Sequence, residues 1–286
     1  MALAAIAAVL GCSQRSESQA DEDEPGYPLV GKIVAIQKER GALTVAHEDI
    51  PGFMPAMTMD FKVDPTELEA AKVGAAIQAR LVREEDGAFK LIRIWPIDGG
   101  QAKELKRDAE SLKRTMERLP SGRYLGPDDR APEFTLIDQN GELLSVERLR
   151  GKAFVMNFIF TRCPDPTMCS LSTSKMARLQ KMATKAGIEN VAFISVTLDP
   201  EYDTPAVLKQ YGRSYGIDDA NFHLATGPKG AVEALTKGLG VTSMKNDETI
   251  LHSLATSLVG PDGTILLRSE RSDWSPDAFL EKLKEL

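Results

Sequence analysis

The sequence predicts two units of different class: a small all-β, five-stranded barrel of the OB type, followed by an α/β domain built on buried parallel strands. Three observations carry this. Between residues 29 and 95, five short segments of β character are separated by polar, Gly-containing turns. From about Ala131 onward, continuous apolar runs alternate with stretches of helical length, as expected for strands covered on both faces. Between the two regimes lies a highly charged stretch, 100–118, closed by the helix-breaking PSGRYLGPDD.

In the barrel, LVGKIVAIQ and ALTVAH are strands on either side of the turn-like KERG. AMTMDFKV is the third strand, and AAIQARLV and AFKLIRIW flank the turn EEDG. DPTELEAAKVG, between the third and fourth strands, reads as a short helix with Asp64 as N-cap and Pro65 at the first helical position. QAKELKRDAESLKRTMERL reads as a charged helical linker with few apolar positions. Beyond it, FTLIDQNGELLS is a hairpin, AFVMNFIF a buried strand, and a long helix follows to Ala186, where Gly187 ends it. VAFISVTL is a second buried strand, succeeded by a helix near 204–215, the strand FHLA and a helix near 229–239. SLATSLVGPDGTILLRSE turns back through Pro-Asp-Gly, and a last helix starts after Ser275. This order matches a thioredoxin-like fold with an added N-terminal hairpin.

The chain has 286 residues and a net charge of −7. That balance argues against a nucleic-acid partner, because phosphate contacts require an excess of Lys and Arg on one face. The acidic run Asp21 to Glu24 reads as part of a solvated tether. The opening MALAAIAAVLGCS is too short to span a bilayer and suits the apolar core of an export signal. VLGC resembles a bacterial lipobox, with Cys12 as the lipidated residue. The expected organisation is a signal and lipobox over 1–12, a disordered tether over 13–26, a barrel over 27–98, a helical linker over 99–125 and a thioredoxin-like domain over 126–286.

Three cysteines and three histidines are present, so each position is informative. In FIFTRCPDPTMCSLSTSK the strand ends at Phe160, and Cys163 lies in the loop beyond its C-terminal end, where open α/β sheets hold their sites. Asp165 is placed to cap the next helix with Pro166 at its first position, which puts Cys169 in the first turn. A helix N-terminus lowers a thiol pKa and favours thiolate. Two thiolates there can cycle with a disulfide, bind a soft metal, or form a structural disulfide in an exported protein, and spacing does not choose among these. His252, expected at the start of the strand SLATSLV, faces the cysteine loop in a thioredoxin-like fold, and by position is equally a ligand or an ordinary strand-end histidine. Asp199, at the end of VAFISVTL, is a candidate outer residue of the same site, although the turn DPEYDTP also explains it. His223 in FHLA reads as structural.

HEDIPGFMPAMTMDF places three methionines within six residues, downstream of His47. Period-two alternation puts Met57, Met59 and Phe61 on one face of their strand, and Leu43, Val45 and His47 on one face of the preceding strand. Core packing explains Phe61 and Val45 directly. A core-facing imidazole needs a partner that thioethers do not provide as hydrogen-bond acceptors, whereas thioethers and neutral imidazole are good ligands for Cu(I). The cluster therefore reads as a soft-metal site. Met168, Met176 and Met182 sit on or near the long helix without a histidine and read as packing.

Two resemblances bear on these residues. NFIFTRCPDPTMC, SVTLDPEYDTP and LHSLATSLVGPDGTIL, in that order, resemble the Sco/SenC family of membrane-tethered, thioredoxin-fold copper proteins over roughly residues 126–286. The resemblance implies one copper, Cu(I) or Cu(II), held by Cys163, Cys169 and His252, and a part in assembling the CuA centre of cytochrome oxidase. Five residues separate the cysteines here, where the best-known members have three. GKIVAIQKERGALTVAHEDIPGFMPAMTMDF resembles the CusF-like periplasmic copper-binding domain, a small barrel that holds Cu(I) with one His and two Met. His47, Met57 and Met59 match those ligands, and Met54 stands near the position of a tryptophan over the metal, as a fourth ligand or a lid.

Together these imply a lipid-anchored protein on the periplasmic face of a bacterial membrane that delivers copper for oxidase assembly, with the redox state of the cysteine pair gating loading. Its implied partners are the CuA subunit of cytochrome oxidase or its assembly factors, a thiol reductant, and the membrane through the lipid anchor. The alternative is an enzyme, a thiol–disulfide reductase or peroxiredoxin-like protein, with Cys163 as nucleophile and Cys169 as resolving thiol. Sequestration of copper without a client is a third reading.

Overall fold

A computed structural model describes residues 26–246 and 249–286. The expected signal, Cys12 and the tether up to residue 25 lie outside the described residues. The first unit is a closed barrel of β1 (Tyr27–Gln37), β2 (Ala42–His47), β3 (Met57–Lys62), β4 (Ala76–Arg83) and β5 (Phe89–Trp95), in the order β1-β2-β3-β5-β4. Neighbouring strands are antiparallel, except that β3 meets β5 in parallel at Lys62 and Lys90. Leu29, Ile33, Leu43, Val45, Phe61, Ile77, Leu81 and Leu91 fill the interior, which gives β2 the inward period of two expected from its sequence. β1 crosses close over the end of β2: a Cβ on Gly31 would lie 2.7 Å from Val45 Cγ1 and 2.8 Å from the Ala46 carbonyl oxygen. Only glycine allows β1 to pair at this point with His47.

Helix α1 (Pro65–Ala70) follows β3 with Pro65 at its first position, as expected. Asp64 precedes it but makes no side-chain cap; its carboxylate instead takes a salt bridge from Lys90 at 2.7 Å. The expected linker is helix α2 (Gly99–Glu117), opened by a capping box in which Asp98 accepts from the backbone N–H groups of Gly100 and Gln101. It is more than a connector. Leu105, Ala109, Leu112 and Met116 form a single buried stripe, and α2 packs against the second domain. Its few apolar residues recur at helical spacing, so a small number suffices to dock one face.

The second domain holds a seven-stranded sheet in the order β14-β13-β8-β9-β10-β6-β7. β6 (Thr135–Asp138) and β7 (Leu143–Ser145) form the added hairpin. β8 (Ala153–Ile159), β9 (Val191–Thr197) and β10 (Phe222–Thr226) are parallel, and every residue of β8 and β9 is buried. Helix α3 (Leu171–Lys185) packs on β8 and β9, α4 (Pro205–Ser214) on β10, and α5 (Lys229–Gly238) on α2. A short hairpin, β11 (Ser243–Lys245) and β12 (Ile250–His252), stands as a separate two-stranded sheet. β13 (Ala255–Val259) and β14 (Ile265–Glu270) then extend the main sheet, and α6 (Pro276–Lys284) packs on α3. His252 therefore ends its own small hairpin and does not open the strand that follows.

α1 docks on α4, with Thr66 Oγ1 donating to Gln210 at 3.0 Å and Arg213 facing Glu69 at 3.4 Å. Between them Glu67 is buried, and Thr204 Oγ1 donates to its carboxylate at 2.5 Å. Burial pushes the Glu67 pKa up to about 7; the nearby Asp64 charge adds to this, and the Thr204 hydrogen bond opposes it. A carboxyl with a higher pKa folded than unfolded binds a proton on folding. Its contribution is complete below the ordinary glutamate value and is lost as pH rises through about 7. Glu67→Gln is expected to unfold in urea with about 3 kcal/mol more stability than the parent at pH 8. The two proteins should converge toward pH 4.5; parallel curves would rule out Glu67 as the titrating group.

Candidate metal centre

The second-domain site is assembled from a loop, a helix start and a hairpin. After β8, Phe160 leads into the loop that carries Cys163, whose Sγ lies 3.7 Å from the Asp165 carbonyl oxygen. Asp165 accepts from the backbone N–H of Thr167 at 2.8 Å and from its hydroxyl at 2.7 Å, and Pro166 takes the first helical position, as expected. The turn Pro166–Ser170 is π-helical and wider than an α-turn, a local form common where side chains must be re-aimed. It carries Cys169 inward to 1% exposure, while Cys163 stays partly exposed. The five intervening residues thus form a loop closing on a widened turn, which overcomes the poor alignment of positions six apart on a regular helix.

Both cysteines are free thiols. The Sγ atoms of Cys163 and Cys169 and a ring nitrogen of His252 all lie within 4.8 Å of one another. His252 Nε2 is 3.4 Å from Cys169 Sγ, and Nδ1 lies 3.0 Å from the Ser253 carbonyl oxygen. A donated Nδ1–H leaves the Nε2 lone pair facing the thiols, the arrangement a metal-ligating histidine requires. The Phe160 ring meets the imidazole edge-on, with centroids 5.4 Å apart. Burial lowers the His252 pKa and so favours the neutral, ligating form, against the opposing Ser253 hydrogen bond. One expectation is reversed. The helix N-terminus does not make Cys169 acidic: burial, with the neighbouring Cys163 adding to it, pushes its thiol far above the ordinary value. Desolvation outweighs the dipole at a site this deep, so a metal must displace the proton as it binds.

Asp199 is 3% exposed and pairs with Arg162 at 2.6 Å, and the Arg162 guanidinium lies 3.9 Å from the centroid of the Tyr202 ring. Asp199 therefore acts on the residue preceding Cys163 rather than on a sulfur. Asp203, also buried, accepts from the Thr161 backbone N–H at 3.1 Å and from the hydroxyls of Thr161 and Thr197. Burial pushes its pKa up to about 6 despite these donors. The contacts of Arg162 and Asp203 go beyond the sequence expectation, whose one signal for them is the acidic spacing of DPEYDTP after a buried strand. His223 lies 3.0 Å from Asp138 and takes no part in the site.

The barrel holds the second candidate. His47 is 4% exposed, and its Nδ1 lies 2.7 Å from the Glu48 carbonyl oxygen. Its Nε2 is buried and has no hydrogen-bond partner among the described residues. Met57 is directly opposite His47 across the β2–β3 ladder, and Met59 is opposite Val45. Phe61 is fully buried, Met59 is half-buried against the core and Met57 is 44% exposed. The inward face of β3 thus opens to solvent toward its start, because the strand runs out over the rim, so Met57 is a rim residue and not a core one. Met54 packs partly buried on the barrel core, and its backbone bridges Ile50. Phe53 stacks on Tyr27 with centroids 4.2 Å apart. An unsatisfied buried imidazole nitrogen is costly, and a soft cation beside thioethers would satisfy it.

Residues 123–286 match the family model of SCO1/SenC, and residues 26–96 match that of the copper binding periplasmic protein CusF. A Stutzerimonas stutzeri protein is 36% identical over 145 residues, covering 49% of this chain and 69% of its own. The SCO1 protein homolog of Bacillus subtilis is 33% identical over 138 residues, covering 46% of this chain and 69% of its own. The crystal structure of a SCO1/SenC family lipoprotein from Bacillus anthracis superposes with a TM-score of 0.50 at 26% identity, covering 59% of this chain and 98% of that one.

Proposed function

The chain belongs to the SCO1/SenC family and carries an N-terminal CusF-like domain, and from that premise we propose that it is a copper-handling protein of the bacterial envelope serving cytochrome oxidase assembly. The observation that carries this reading is the convergence of two thiols and the His252 nitrogen within 4.8 Å. Two soft thiolates with one imidazole suit copper in either oxidation state, and hard cations poorly. In the barrel, His47, Met57 and Met59 would capture Cu(I), with Met54 as a further thioether or a cover. Neutral thioethers add no charge, which favours the monovalent ion.

Copper would pass from the barrel to Cys163, Cys169 and His252, and from there to the CuA subunit of an oxidase or to its assembly factors. Loading requires two thiols. A disulfide between Cys163 and Cys169 would first take two electrons and two protons from an external dithiol, itself oxidised to a disulfide, so the redox state of the pair gates uptake. The barrel over 27–98, the helix-containing connection over 99–125 and the domain over 126–286 divide this work. Cys12, lipidated, would hold the assembly on the periplasmic face of a membrane by way of the tether.

The test is Cu(I) stoichiometry of the reduced protein beginning after Cys12, measured without oxygen. Two coppers are expected, one lost in Cys163→Ser/Cys169→Ser and the other in Met57→Leu/Met59→Leu. Absence of tight copper, with turnover of peroxide or a disulfide substrate that survives His252→Ala, would replace this reading with a thiol enzyme.

A further inference from the structure

The hairpin carrying His252 is a poor platform by itself. Its strands are three residues each, and all of β11 is exposed. Two-stranded sheets of this size have little independent stability. Among the described residues its ties to the domain include the buried side chain of Ile250, the contacts of His252 with Cys169 and Phe160, and an ion pair, Lys245 Nζ to Glu201 Oε2 at 2.9 Å, while Thr242 and Ser253 close the hairpin's own base.

Glu201 is shared. Its other oxygen faces Lys229, at the start of α5, and Arg93 of β5 in the barrel, each at 3.5 Å. Arg93 is only 12% exposed in its side chain and is held at φ 52°, an uncommon conformation for a residue with a Cβ. The segment around Glu201 also grips the cysteine loop, through Asp199 and Tyr202 to Arg162 and through Asp203 to Thr161. One residue further on, Thr204 reaches Glu67 of the barrel helix. A single loop, 199–204, therefore touches the cysteine loop, the histidine hairpin and the barrel.

We propose that Glu201 is a positioning residue that ties the seat of His252 to the docked barrel, so that the barrel's position alters copper binding in the second domain. The proposal rests on the copper reading of Cys163, Cys169 and His252. Neither Glu201 nor Arg93 is among those three residues. Because coupling between sites is reciprocal, copper in the second domain should equally strengthen barrel docking. An isolated exposed ion pair contributes little, but one carboxylate shared by three cations forms a network.

The experiment uses the chain carrying Met57→Leu/Met59→Leu, so that the second-domain site alone reports. Amide hydrogen exchange of β11 and β12 is measured in the metal-free protein, and Cu(I) affinity by competition with a chromophoric chelator. Glu201→Gln and Arg93→Ala are each expected to speed exchange in the hairpin and to weaken Cu(I) binding about two- to fivefold. Lys245→Ala should do the same, and Lys245→Arg should restore both readouts. An Arg93→Ala protein with unchanged exchange and affinity overturns the link to the barrel. A Glu201→Gln protein that is only less heat-stable, with both readouts intact, overturns the positioning role. If the background protein binds no Cu(I), the functional reading fails, and hydrogen exchange still decides the coupling by itself.

Discussion

Cys163→Ser is expected to lower the Cu(I) affinity of the second-domain site by at least about a hundredfold while leaving the barrel site at full occupancy. Loss of a residue that merely orients a ligand costs roughly 10–100-fold in metal affinity, and loss of a direct thiolate ligand should exceed that. The substitution is nearly isosteric, and Cys163 is the more exposed of the two cysteines, so the fold should survive it. Chelator competition, with the unfolding transition as a control, reads both effects. Retention of normal copper binding in the second domain would remove Cys163 from the ligand set and with it the redox-gated reading.

His47→Leu should produce opposite effects on stability and on binding. The buried Nε2 of His47 has no hydrogen-bond partner among the described residues, and an unsatisfied buried polar atom costs about 1–3 kcal/mol. Leucine is similar in size and leaves no polar atom unmet at this end of the barrel. The metal-free variant is therefore expected to gain about 1 kcal/mol in urea unfolding while Cu(I) stoichiometry falls from two to one. A variant that loses stability and keeps both coppers would make His47 a structural histidine whose nitrogen finds a partner in solution. The contrast matters because core packing and metal ligation predict opposite signs for the same substitution.

Much of this architecture was legible in the chain because the relevant signals are local. The period of two in ALTVAH, the Gly-containing turns and the Pro-Asp-Gly corner report backbone geometry within a few residues. The barrel strands and the main sheet accordingly fall where expected. Helix α2 reads as a linker by its charged composition; its docking is encoded in the alignment of Leu105, Ala109, Leu112 and Met116 on one face. The hairpin of β11 and β12 leaves no such signal, since SMKNDETILH is polar and its strands are too short to show a period. His252 consequently ends β12 and does not open the following strand, where the sequence pattern puts it.

Residue order alone supplies the donors and their approximate posts: two thiols beyond the end of a buried strand, an imidazole downstream, and a histidine facing methionines across a two-strand ladder. Residue type decides softness, and local period decides face, and neither depends on the rest of the molecule. The environment of those donors comes from the packing of the folded chain. That packing brought His252 Nε2 to 3.4 Å from Cys169 Sγ, left the His47 nitrogen without a partner among the described residues, turned Met57 out over the rim and set Glu201 between the barrel and the histidine hairpin. It also reversed the expected acidity of Cys169. Burial and charge proximity depend on atoms far apart in the chain, and desolvation at depth outweighs the dipole of the turn to which the cysteine belongs.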